Sequence, residues 1–116
     1  MLSCADDKEP LEGSWSINDS NEVFHVYTFD DWTGFMLESG KKNRLGELVY
    51  TSDSTAKMTF WKGGEVELKY IIPEEGTCVT SIGEHTFLML QILGADGYKT
   101  DDDEKAIRAA IYAAKP

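Results

Sequence analysis

Between residues 14 and 93 the chain is interrupted, about every ten residues, by a short cluster of Gly, Asn, Asp, Ser or Pro, a rhythm that suits β-sandwiches and barrels. The clusters fall at 19–21, 30–33, 39–43, 52–55, 62–64, 73–76 and 83–85. The stretches between them are rich in β-branched and aromatic residues and predict strands over 14–18, 22–29, 34–38, 44–51, 56–61, 65–72, 78–82 and 86–93. A helical crossover between parallel strands takes roughly a dozen residues, and no gap is that long, so neighbours pair antiparallel in chain order. The predicted fold is therefore mainly β: an eight-stranded antiparallel up-and-down barrel in which the first strand meets the last.

One hairpin predicts its own register. If Lys62-Gly63-Gly64 is the loop, Phe60 faces Val66, Met58 faces Leu68 and Ala56 faces Tyr70, on an inner face that continues to Ile72. Thr59 with Glu67, and Lys57 with Lys69, then fall on the outer face. A two-residue Gly63-Gly64 loop sets Phe60 beside Glu67 and Met58 beside Lys69, mixing apolar with charged positions.

The chain ends in a predicted helix over 101–115. Thr100 or Asp101 caps it, and Asp101-x-x-Glu104 has capping-box spacing. Ala106, Ile107, Ala110, Ile111 and Ala114 form one thin apolar stripe, with Lys105, Arg108 and Lys115 off it. The last strand needs a cover, because Leu88, Leu90 and Ile92 alternate with Phe87, Met89 and Leu93. The helix is therefore expected to pack outside the barrel against that strand. Residues 11–116 form one domain, and residues 1–10, polar and acidic up to Pro10, form a tether.

Charge narrows the partners. The chain carries 21 acidic and 11 basic side chains, a net charge of −10. That argues against nucleic acid, whose phosphates demand basic patches, and against docking on anionic lipid through charge. No apolar run approaches the roughly 20 residues that span a bilayer as a helix. The sequence implies no enzyme, metal or cofactor: two cysteines in no Cys-x-x-Cys spacing do not make a metal site, and no phosphate loop or nucleophile-elbow motif occurs. A Cys78–His85 dyad fails on distance, because four residues of strand separate them by about 13 Å. Cys78 and His25 read as core residues. A Cys4–Cys78 disulfide in an oxidising compartment is the alternative for Cys78.

Leu11-Glu12-Gly13-Ser14-Trp15 resembles the Gly-x-Trp opening of the lipocalin-like (calycin) barrels. The segment from His25 to Gly34, with Tyr27-Thr28-Phe29 followed by Asp30-Asp31, resembles the second strand and first tight turn of small bacterial members. The resemblance covers 11–93 plus a C-terminal helix packed on the barrel. It implies that the tryptophan plugs one end and that the interior is either filled by side chains or holds one small ligand. The bulky inward set is read as Trp15, Tyr27, Phe29, Met58, Phe60, Leu68 and Tyr70. The expected function is non-enzymatic binding of a small lipophilic ligand by Tyr27, Phe29, Met58, Phe60, Leu68 and Tyr70, the two tyrosines supplying polar handles. The alternative is a barrel packed solid, an interaction module or periplasmic inhibitor whose acidity steers it to a basic protein partner.

Met1-Leu2-Ser3-Cys4 followed by Ala5-Asp6-Asp7 resembles the cleavage site of bacterial lipoproteins, particularly exported ones of the Bacteroidetes type. The resemblance implies acylation of Cys4 and a lipid-anchored place in the cell envelope, periplasmic or surface-exposed, with the membrane touched through Cys4 alone. The alternative is an ordinary thiol in a cytoplasmic chain.

Overall fold

The computed structural model describes residues 10–40, 42–92 and 101–116, and helix side chains from Lys105 onward. Its elements are β1 (Gly13–Ile17), β2 (Val23–Thr28), β3 (Thr33–Ser39), β4 (Lys42–Ser52), β5 (Thr55–Phe60), β6 (Glu65–Glu74), β7 (Thr77–Ile82), β8 (His85–Gln91) and α1 (Asp101–Ala114). Each strand pairs antiparallel with the next. The barrel closes where Trp15, Ser16 and Ile17 of β1 lie opposite Gln91, Leu90 and Met89 of β8. The expected closed meander with a helix outside it is what forms. Of the expected tether over residues 1–10, residues 1–9 with Cys4 lie outside the described residues, as do Leu93, Thr100 and the side chains of Asp101 and Glu104.

The β5–β6 hairpin keeps the expected faces but not the expected register. Met58 lies opposite Val66, Lys57 opposite Glu67 and Ala56 opposite Leu68, two residues away from the three-residue-loop pairing. A slip of two leaves every side chain on its own face. The charges give a reason for it: Lys57 exchanges a like-charged neighbour, Lys69, for Glu67, and its ammonium stands 3.7 Å from Glu65. Ile72, expected inward, is 37% exposed, because the ladder of β6 and β7 shifts register between Ile71 and Glu74.

Two apolar layers result. The inner one gathers Trp15, Phe24, Val26, Phe35, Leu48, Met58, Leu68, Tyr70, Cys78 and Met89 inside the barrel. The second lies outside, where Ile111 and Ile107 of α1 pack with Tyr27, Met36, Phe29, Trp32 and Leu45. The helix thus covers the outer face of β2, β3 and β4, not β8. Leu90 stays 44% exposed and Ile71 65%.

The stripe on α1 is also narrower than expected. Ala106, Ala110 and Ala114 are exposed, while Arg108 is half-buried. Arg108 lies over the rings of Tyr27 and Phe29 at 5.1 and 5.2 Å, and its Nη2 donates to the Thr28 carbonyl at 3.3 Å. Aromatic rings on β2 and its turn offer a better seat for a guanidinium than the aliphatic face of β8 does. Ile111, fully buried, adds roughly 1.5–3 kcal/mol to the docking.

Candidate functional site

One end of the barrel is shut by its own N-terminal corner. Leu11 is fully buried and Trp15 is 2% exposed. The indole Nε1 of Trp15 donates to the Leu11 carbonyl at 2.9 Å, and the Leu11 N–H donates to the Tyr50 hydroxyl at 3.0 Å. Tyr50 in turn meets the ring of Tyr70 edge-on at 6.4 Å. Gly13 makes the corner with φ of +123°, a conformation open to glycine but strained for other residues.

The other half of the barrel is hollow. A cavity of about 330 Å³ opens at the opposite end, beside the loops that join β1 to β2 and β7 to β8. Phe24, Met58, Leu68 and Met89 line its depth, and Ile17, Leu37, Ile82 and Phe87 its mouth. Thr80 is the polar group in the wall, and Glu22 and Arg44 stand at the rim. That size lies at the small end of ligand pockets, and the apolar wall with few polar groups is their usual composition.

Of the six residues expected to bind a ligand, Met58 and Leu68 line this hollow. Phe60 packs against the core and faces a neighbouring cleft at the rim. Tyr70 is buried towards the closed end, beside Tyr50. Tyr27 and Phe29 are a correction: they lie outside the barrel, under α1. Strand β2 is apolar on both faces, Phe24 and Val26 on one and His25 and Tyr27 on the other, and its own pattern does not say which turns inward. The choice puts Phe24 into the hollow, a residue that sequence reasoning missed.

The rim cleft, about 480 Å³, lies between the start of β4, the loop from β5 to β6, and the end of α1. Lys42, Asn43, Arg44, Phe60, Trp61 and Lys62 line it. The Arg44 guanidinium sits over the Phe60 ring at 5.4 Å. The indole N–H of Trp61 is buried with no hydrogen-bond acceptor among the described residues. Such an orphan donor ordinarily costs about 1–3 kcal/mol.

A third constellation joins β1, β2 and β3 on the outer face. Ser14 Oγ lies 2.8 Å from His25 Nδ1, and His25 Nε2 lies 2.8 Å from Glu38 Oε1. The Tyr27 hydroxyl reaches Ser14 Oγ at 3.2 Å. An ionised Glu38 only accepts, so Nε2 donates to it; with the ring neutral, Ser14 donates to Nδ1. The order of hydroxyl, imidazole and carboxylate is that of an acyl-transfer relay. Here, however, His25 is fully buried, Ser14 is 7% exposed, and neither the hollow nor the cleft reaches them. The relay's chemistry needs a substrate carbonyl at the hydroxyl and N–H donors aimed at its oxygen. In this arrangement Ser14 and His25 are satisfied within the wall, and Glu38, whose side chain is 42% exposed, links them to the surface. The hairpin register could have found them: Ser14 lies directly opposite His25, and Glu38 is two residues along from His25's partner Met36.

Cys78 points into the barrel and is fully buried. Burial pushes its thiol pKa up, while the Thr80 hydroxyl, 3.3 Å from its sulfur, pulls weakly the other way. It therefore stays protonated at neutral pH, a packing group rather than a nucleophile. His85 pairs with Ile82 at the far end of β7, four residues from Cys78, so the two are not brought together.

No family model, no curated protein sequence and no solved structure matches the chain.

Proposed function

We propose that this protein is a non-enzymatic binder of one small lipophilic molecule, held in the hollow half of its barrel. The observation that carries this reading is the apolar hollow, open at one end and shut at the other by Leu11 and Trp15. It favours a small ligand over the rival reading, a solid barrel docking a basic protein, since it leaves space that such a barrel fills with side chains. The Gly13-Ser14-Trp15 resemblance to the lipocalin-like opening points the same way.

The test is a fluorescent apolar probe, N-phenylnaphthylamine, together with native mass spectrometry of protein purified without detergent. The wild type is expected to bind the probe saturably and to carry a co-purified lipophile. Ile82→Trp, which puts a bulky ring across the mouth, should weaken probe binding about ten-fold or more, the equivalent of roughly 1.4 kcal/mol of lost apolar contact. Ile71→Ser, on the outer wall where the side chain is 65% exposed, should leave it unchanged. Loss of binding in Ile71→Ser but not in Ile82→Trp would place the probe on the outer wall and overturn the reading.

We propose further that the chain is exported and anchored to the cell envelope through acylated Cys4, on the strength of the Met1-Leu2-Ser3-Cys4 resemblance. Cys4→Ala in the full-length gene should move the protein from the membrane fraction to the soluble one. Unchanged membrane retention would reject the anchor.

A further inference from the structure

Resting on the ligand reading above, we infer that the bound molecule is a single-chain amphiphile with an anionic head, its tail in the hollow and its head in the rim cleft. The two cavities share one residue, Arg44. It therefore stands where the apolar wall ends and the charged rim begins.

The cleft's charge is the reverse of the chain's. Acidic side chains outnumber basic ones 21 to 11, yet Lys42, Arg44 and Lys62 line the cleft and no carboxylate does. None of the three takes part in an ion pair among the described residues. Cations gathered this way repel one another, and an anion set among them removes that repulsion. Arg44 is also prepared for the task. Its guanidinium rests on the Phe60 ring, which holds the planar fork at the mouth, and that fork takes a carboxylate or phosphate through two parallel N–H bonds.

The Trp61 indole supplies the second argument. Trp61 lines the same cleft, its buried N–H lacks an acceptor among the described residues, and an oxygen of an anionic head that reaches it would provide one. A neutral lipophile in the hollow leaves all four donors as they are. The opposing group is Glu22, the carboxylate on the hollow's rim, which disfavours a head placed on that side and so directs it to the β4 side. At about 30 Å³ per water-sized group, the hollow holds on the order of ten such groups, which suits a short chain.

Competition against bound N-phenylnaphthylamine, at low ionic strength and neutral pH where octanoate is ionised, compares octanoate with octanol. Octanoate should compete about ten-fold better than octanol, the increment of one charge-assisted hydrogen bond. In the rim variant Lys42→Gln, Arg44→Gln, Lys62→Gln, octanoate and octanol should compete equally, and saturable probe binding by that variant shows that the barrel remains folded. Trp61→Phe should lose part of the octanoate preference and none of the octanol binding. If both compounds compete and octanoate has no advantage, or if its advantage survives the triple replacement, the anionic head is wrong while the hollow stands. If neither competes, the ligand reading itself falls and this inference with it.

Discussion

Gly46→Ala is expected to destabilise the barrel by about 3 kcal/mol or more, at or beyond the upper end of ordinary overpacking. A Cβ built at Gly46 would lie 2.0 Å from the Thr59 carbonyl oxygen and 2.8 Å from two ring carbons of Phe35. The first neighbour is backbone, fixed in the ladder between β4 and β5, where Thr59 lies opposite Glu47. The second belongs to a fully buried ring, packed edge-on to Phe60 at 5.2 Å and tilted against Phe24 at 6.0 Å. Neither can withdraw without carrying other core groups with it. Against a total of about 5–15 kcal/mol for a domain of this kind, the loss is large, and it should lower the melting temperature by on the order of 10 °C. Gly40→Ala is the control, since a Cβ there meets nothing within 4 Å, and its midpoint should stay unchanged or rise slightly. Phe35→Leu in the Gly46→Ala background should not restore stability, because the nearer clash is with the main chain. Full restoration would mean that the ring, not the backbone approach, limits the site.

Gly46 also shows what a sequence pattern leaves open. Strand positions follow from turn chemistry, and the turns are written plainly, as in Lys62-Gly63-Gly64 or Pro73-Glu74-Glu75-Gly76. The faces of a strand follow from alternation only where one face is polar. In β5, Met58 and Phe60 alternate with Lys57 and Thr59, and the inward set is legible. In β2, Phe24 and Val26 alternate with His25 and Tyr27, and both sets end buried, one in the barrel and one beneath α1. Parity also leaves register free by steps of two, which is how Lys57 comes to face Glu67 rather than Lys69. The helix docks on β2 to β4 because Tyr27, Phe29 and Trp32, from one hairpin, meet Met36 and Leu45 there on the outer face. Its own stripe of small residues carries no such address.

The hollow and the cleft are least visible in sequence for the same reason. Phe24, Met58, Leu68 and Met89 come from four strands, and the cleft joins the start of β4 to the loop after β5. Cavities are what side chains fail to fill, so they depend on which of several bulky residues turn inward. With Tyr27 and Phe29 outside, it is the other face of β2 that turns inward, and Phe24 lines the hollow. The closed end, in contrast, was foreshadowed by Gly13-Ser14-Trp15, since only a glycine adopts the Gly13 corner comfortably and the indole two residues on has a carbonyl within reach.

Trp15→Ala is expected to be the second severe lesion, at about 3–5 kcal/mol for a buried large aromatic replaced by alanine. The ring fills the shut end, and its N–H is the partner of the Leu11 carbonyl. Losing it leaves a cavity and orphans that carbonyl. Trp15→Phe should cost less, because most of the packing survives and the hydrogen bond alone is worth about 1 kcal/mol. Leu11→Ala should cost about 2–5 kcal/mol, since Leu11 is fully buried against the same end. The double variant tests whether these residues act as one plug. Leu11 is held by Trp15 through its carbonyl and by Tyr50 through its N–H, so removing the indole should already loosen it. The combined loss, read from urea unfolding midpoints, should then fall short of the sum by about 1 kcal/mol or more, as contacting residues do. The same loosening unseals the floor of the hollow, so Trp15→Ala should release N-phenylnaphthylamine faster than Trp15→Phe at a temperature where both are folded. Strictly additive losses with equal release rates would mean that Leu11 and Trp15 fill separate sites and that the end is shut by something other than their pairing.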